Sequence, residues 1–157
     1  MSIVTRIAIY EQHDADAVAD AMTVMQSAFD PAFGEAWNAD QLGSMLDMPG
    51  SWMAVARAGD RPAGFALLRG VLDEVELLLI AVHKSFQSQS IGRTLLDNSI
   101  ASARARNIRS MHLEVRAGNR AMELYKSAGF FQIARRREYY RGKDGELHDA
   151  LTFQREL

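Results

Sequence analysis

EVELLLIAVHKSFQSQSIGRTLL, residues 74–96, passes from a nearly continuous apolar run through a polar turn into helical spacing. The first nine residues predict a strand covered on both faces in the middle of a sheet. From Ile91 onward, Leu95, Leu96, Ile100 and Ala103 recur on one helical face to about Arg106. A strand, a tight turn and a helix start aim several backbone N–H groups and the positive end of a helix dipole at one spot. Gly92 would let a ligand approach the backbone closely and Arg93 would add charge, which suits a phosphate; an ordinary strand-to-helix connection fits the same residues. The turn is not a P-loop, since no Gly-Lys-Ser or Gly-Lys-Thr follows, and not a dinucleotide fingerprint, since the glycine triplet is absent.

Upstream, Ile3–Ile9 has a strand-like pattern. Asp14 or Asp16 can cap a helix with Ala17, Val18, Ala21, Met22, Met25 and Phe29 on one face, ending near Asp30-Pro31. A loop leads to a short helix starting near Asn38 or Asp40, then a turn at Pro49-Gly50. WMAVAR and AGFALLRG, on either side of AGDRP, predict an antiparallel hairpin. Downstream, SMHLEVR alternates as a strand and NRAMELYKSAG predicts a short helix with Gly129 past its end. FFQIARRREYY and LHDALTFQREL complete two strands around RGKDGE. The order β, α, α, β, β, β, α, β, α, β, β predicts an α/β (α+β mixed) fold, a central mixed twisted sheet flanked by helices, in one domain over residues 1–157.

Composition narrows the functional class. The chain is 48% apolar and 24% charged, with 18 basic against 20 acidic residues and a net charge of −2. No stripe of positive charge suits nucleic acid, so direct nucleic-acid binding is not expected. The absence of cysteine removes disulfides, thiolate metal sites and a cysteine nucleophile together. His13, His83, His112 and His148 have no metal-ligand spacing, and no metal is expected. No window approaches the length of a membrane span and the N-terminus lacks a leader pattern, so a cytoplasmic protein is expected. The 48% apolar content needs no more than a monomer's core, so a monomer or weak homodimer is expected.

LLLIAV, QSQSIGRTLL, LEVRAGNRAMELYKSAGF, RRREYYRGKDGELHDALTF and, more weakly, EAW occur in the order found in one superfamily. Through them the chain resembles the GNAT acetyl-CoA-dependent N-acetyltransferases, and within these the RimI-type ribosomal-protein alanine N-acetyltransferases. The resemblance covers nearly the whole chain and implies the GNAT acyl-CoA N-acyltransferase fold with acetyl-CoA as cosubstrate. It implies that Gln87, Ser88, Gln89, Ser90, Ile91, Gly92 and Arg93 cradle the coenzyme pyrophosphate. It also implies that the pantetheine arm pairs like an extra strand with the backbone of Ile80, Ala81 and Val82.

Two positions depart from the family pattern. Ser90 stands where the first glycine is usual, and at positive φ a serine costs on the order of 1 kcal/mol. The Asn119 segment is one residue short, so Gly118 falls at the asparagine position when the tyrosine is kept in register; Asn119 remains a weaker candidate for the coenzyme arm.

Acetyl transfer from a thioester to an amine needs a held coenzyme, a donor to the thioester oxygen, removal of an amine proton and a proton for the leaving thiolate. The resemblance assigns the base to Glu114 of LEVR and the acid to Tyr125 of the LY pair. Alternation in HLEVR puts His112, Glu114 and Arg116 on the face opposite Leu113 and Val115, so Glu114 looks into a polar cleft or lies on a solvated face. Tyr139 and Tyr140 resemble the pair bordering the peptide groove of related N-terminal acetyltransferases, with Trp37 and Phe33 as its other wall; edge and core aromatics fit the same residues. An α-amine, with a pKa of about 7.7–8.0, is substantially neutral at about pH 7.5, whereas lysine at about 10.4 is almost wholly protonated. The expected partner is therefore the N-terminus of an acceptor peptide or protein, a ribosomal protein included. A small amine as acceptor, or a non-catalytic acyl-CoA-binding module, are the competing readings.

Overall fold

The computed structural model describes residues 5–30 and 36–157. Seven strands, β1 (Thr5–Tyr10), β2 (Ser51–Ala58), β3 (Arg61–Val71), β4 (Glu74–Val82), β5 (Ser110–Arg116), β6 (Phe131–Arg141) and β7 (Leu147–Glu156), form one sheet in the order β1-β2-β3-β4-β5-β7-β6. Among the described residues four α-helices, α1 (Ala15–Ala28), α2 (Ala39–Leu46), α3 (Ile91–Ala105) and α4 (Ala121–Ser127), complete the mixed α/β architecture expected from the sequence. Ile3 and Val4, the start of the expected first strand, lie outside the described residues.

Local chemistry starts the helices where the sequence places them. Asp14 Oδ1 accepts the Ala17 N–H at 2.9 Å and caps α1. Asn38 and Gln41 form a reciprocal capping box on α2, both bonds 2.8 Å long. α1 buries Ala17, Val18, Ala21, Val24 and Met25, which pack with Leu42 and Leu46 of α2 against Met53, Val55, Phe65 and Leu67 on one sheet face. α3 buries Ile91, Leu95, Leu96, Ile100 and Ala103 on the other face, against Ala54, Ala66 and Leu77. Each such leucine stabilises the fold by roughly 1.5–3 kcal/mol. The close seat of α3 requires Gly64, because a Cβ there would lie 2.8 Å from Leu95 Cδ1 and 2.9 Å from the Ala81 carbonyl oxygen.

β4 is the middle strand, as its apolar run predicts, but it is not regular. Leu67 pairs with Leu79 and Leu68 with Leu77, so Leu78 is an extra residue in β4. The bulge reverses which side chains face which core. Val75 and Leu77 point to the α3 side, whereas beyond the bulge Leu79 and Ala81 join the α1–α2 side. β5 runs parallel to β4 and pairs with it only over Glu74–Leu77 and Ser110–Leu113. Past that point the two strands separate, and the β5-facing edge of Leu78–Val82 carries no neighbouring strand.

Candidate active site

The separation of β4 from β5 opens a cleft of about 580 Å³. Its floor is the bare edge of β4, from Leu78 to Val82; Glu114, Val115 and Arg116 of β5 line one side, and Phe29, Trp37 and Gln41 line the other. Tyr125 and Tyr140 also face it, as do Gly118, Asn119 and Arg120. The lining charges are mixed, with Asp30 and Glu114 against Arg116 and Arg120.

Glu114 is half-buried and projects from the face expected from HLEVR. Its Oε1 accepts a hydrogen bond from the Tyr140 hydroxyl at 3.3 Å, and its Oε2 lies 3.9 Å from an Arg136 guanidinium nitrogen. Arg136 also sits over the Tyr139 ring, 4.7 Å from its centroid. The two tyrosine rings meet edge to face at 5.2 Å. Of the expected pair, Tyr140 therefore enters the cleft, while Tyr139 stays about half exposed outside it. Tyr125, on α4, is buried, with its ring edge-on to Phe130.

Backbone registers explain why Tyr140 takes this position. Arg136 pairs with Ala150 and Tyr140 with His148, so three residues of β6 oppose Asp149 alone. Asp149 Oδ1 accepts the Glu138 N–H at 2.8 Å, and its Oδ2 is paired with Arg135. The Glu138 bond and the Arg135 guanidinium hold the Asp149 carboxyl below the ordinary aspartate range.

The turn from β4 to α3 differs in detail from its sequence reading. Lys84–Phe86 form a single 3₁₀ turn within the stretch read as a polar turn, and Phe86 is buried in the core. Gln87 Nε2 donates to the Val82 carbonyl at 3.3 Å and lines the cleft. Ser88 and Ser90 both have left-handed backbones, at φ 63° and 64°, so the positive φ anticipated at Ser90 is present and Ser88 shares it. No side chain caps α3, and the N–H groups of Ile91, Gly92 and Arg93 belong to the first turn, which has no intrahelical acceptors. A Cβ on Gly92 would meet Leu124 and Val82 at ordinary contact distances of 3.5 and 3.6 Å, so packing alone does not require a glycine there. The Arg93 side chain turns along α3, bonding Asp97 at 3.0 Å and Ser127 at 3.3 Å. Asn119 Oδ1 accepts the Ala121 N–H at 2.9 Å, at the start of α4.

Trp37 lines the cleft, whereas Phe33 lies outside the described residues. Phe29, Gln41, Leu78 and Arg120 line it without having been singled out in the sequence; Phe29 carries only the signal of a core-facing helix position. Among the described residues no three His, Asp or Glu side chains group as metal ligands, and no helix is long and apolar enough to cross a membrane.

Comparison with known proteins agrees with this architecture. Residues 19–130 match a model of the Acetyltransferase (GNAT) family. The [ribosomal protein bS18]-alanine N-acetyltransferase of Salmonella typhimurium is 44% identical over 95 residues, which are 60% of this chain and 64% of that protein. The match thus spans a little under two thirds of that relative's length. The crystal structure of the ribosomal-protein-S18-alanine N-acetyltransferase from Escherichia coli superposes with a TM-score of 0.85 at 30% identity, covering 98% of this chain and 94% of that one. Ard1 from Thermoplasma volcanium shares the fold, with a TM-score of 0.79 at 23% identity over 99% of both chains. With the family match spanning most of the sequence, the chain belongs to the acetyltransferase (GNAT) family.

Proposed function

We propose that this protein transfers acetyl from acetyl-CoA to the N-terminal α-amine of a peptide or protein, of the ribosomal-protein alanine type. The observation that carries the reading is one cleft bringing together the bare edge of β4, the Glu114 carboxylate held by Tyr140, and Tyr125. The residues present fit the coenzyme. The backbone of Leu78–Val82 offers N–H and C=O groups to an extended amide chain, as an adjacent strand would. The uncapped start of α3, with Ser88, Gln89, Ser90 and Ile91 leading into Gly92 and Arg93, offers N–H groups and a helix dipole to a pyrophosphate. Gly92 keeps that approach open although the protein itself leaves room for a methyl.

Glu114 takes a proton from the acceptor amine through an intervening water as the nitrogen attacks the thioester carbonyl carbon. The N–C bond forms and the C–S bond breaks. Tyr125 gives its phenolic proton to the departing sulfur, and solvent then carries the proton from Glu114 back to Tyr125. No covalent enzyme intermediate is needed. The Tyr140 hydroxyl and Arg136 keep the Glu114 carboxylate aimed into the cleft, and Trp37, Phe29 and Tyr140 border the acceptor. An α-amine suits this single carboxylate because, at a pKa of about 7.7–8.0, much of it is neutral near physiological pH. The mixed charge of the lining does not favour a polyamine.

Thiol release from acetyl-CoA tests the reading, with a peptide starting Ala-Arg beside the same peptide carrying a blocked N-terminus and a free lysine. Turnover of the free N-terminus alone, lost in Glu114→Gln, is expected. Acetylation of lysine only, or of small amines but no peptide, would overturn it.

A further inference from the structure

We propose that Asp149 is a positioning residue that holds the β6 bulge and thereby decides that Tyr140, not Tyr139, reaches Glu114. The inference rests on the acceptor-site reading above. Residues directly opposite in a sheet share a face, so Glu114 with Thr152, Arg116 with Ala150, Arg136 with Ala150 and Tyr140 with His148 place these side chains on one side. Continued one for one from Arg136, the β6 register would bring Glu138 opposite His148; a single extra residue would bring Tyr139. Two extra residues bring Tyr140.

Asp149 is tied to each strand that meets at this point. Its carboxylate takes the Glu138 N–H and the Arg135 guanidinium from β6, and its carbonyl accepts the Ala117 N–H at 2.9 Å just past β5. Glu138 has φ 54°, a left-handed conformation that disfavours a side chain by roughly 1–2 kcal/mol and needs such a bond to hold it. The lowered pKa of Asp149 agrees with a carboxylate that these donors hold ionised. Asp149 alternates with His148 and Ala150, so its side chain leaves the sheet on the face away from Glu114. Its influence on the cleft therefore passes through Tyr140. Arg136, stacked on Tyr139 while facing Glu114, keeps the displaced tyrosine outside.

Fluorine NMR of protein carrying 3-fluorotyrosine at its four tyrosines tests this without requiring activity. Each line is assigned by a Tyr→Phe substitution. Glu114→Gln is expected to move the Tyr140 line in the otherwise unchanged protein, and to leave it unmoved, or to move the Tyr139 line instead, in Asp149→Ala. An undiminished Tyr140 response in Asp149→Ala overturns the proposal. Should that variant not fold, Asp149→Val, whose β-branched side chain suits a strand and accepts neither the Glu138 N–H nor the Arg135 guanidinium, carries the same two outcomes.

Kinetics supply the second reading. Asp149→Ala should raise the acceptor KM between about tenfold and a hundredfold with coenzyme affinity unchanged. Tyr140→Phe should then add nothing further in that background, and additive losses would overturn the proposal. If the unchanged protein acetylates no peptide, the acceptor reading fails on its own, and the fluorine response still decides the role of Asp149.

Discussion

Tyr140 reaches Glu114 from two strands away: its hydroxyl, on β6, meets the β5 carboxylate at 3.3 Å with β7 lying between. The β7 residues beneath this span, Ala150 and Thr152, have short side chains, which leaves the path open. Tyr140→Phe should leave coenzyme binding unchanged and raise the acceptor KM by about tenfold, since one hydrogen bond to a charged group is worth about 1.5–3 kcal/mol. Ala150→Leu should have a larger effect by obstructing the span, and steady-state kinetics of both variants checks this.

Glu114→Gln and Tyr125→Phe should each lower kcat by about 10²–10⁴-fold, the usual worth of positioned proton transfer. Their combined effect should be less than the product of the two, because both serve one transfer. Coenzyme affinity measured by calorimetry should stay within a factor of about two in both.

Gly92→Ala separates folding from ligand approach. The added methyl meets only ordinary contacts with Leu124 and Val82, and alanine favours helix over glycine by about 1 kcal/mol, so the melting temperature should hold or rise. Coenzyme affinity should fall by about tenfold or more as the methyl intrudes on the pyrophosphate. A fall in thermal stability with affinity retained would show that the glycine serves packing.

Ser90→Gly relieves a left-handed residue at the N-terminus of α3. Stability should rise by up to about 1 kcal/mol, and coenzyme binding should tighten as the turn settles. Urea unfolding and calorimetry read the two effects separately.

Asp149 links the β6–β7 pair to pH. Its folded pKa lies below the ordinary value, so its contribution is fully present above the unfolded value of about 3.9 and is lost as pH falls through the lower folded value. Unfolding compared between the unchanged protein and Asp149→Asn should differ at neutral pH. The difference should shrink below about pH 4.

Much of this was legible in the sequence wherever a residue leaves a local mark. Asp14 and Asn38 announce α1 and α2 because a cap needs only the next turn. The face from which Glu114 projects is legible because HLEVR alternates cleanly, whereas a role for it comes only from the family resemblance. Ser90 is legible because a serine at a left-handed position departs from the glycine that resemblance leads one to expect. The Leu78 bulge is hidden because ELLLIAV is apolar at every position from 77 to 82, so a change of parity leaves no polar residue on the wrong face. The β6 bulge is hidden because its acceptor, Asp149, lies 11 residues from Glu138. Arg93 illustrates the opposite case. Its charge suits a phosphate, but Asp97 one helical turn along supplies a nearer partner.

The pairing of β4 with β5 has a further consequence for cohesion. One half-sheet, β1 to β4, meets the other, β5 with β7 and β6, through four rungs, Glu74–Leu77 against Ser110–Leu113. An extended ligand in the cleft would add rungs to this seam and bind the two halves to each other as well as to itself. Binding to the folded state alone stabilises it by RT ln(1 + [L]/Kd), about 2.7 kcal/mol at a hundredfold excess over Kd. The gain in amide protection should therefore fall on both sides of the seam, on β4 and on β5, making the cosubstrate a structural member of the sheet whenever it is bound.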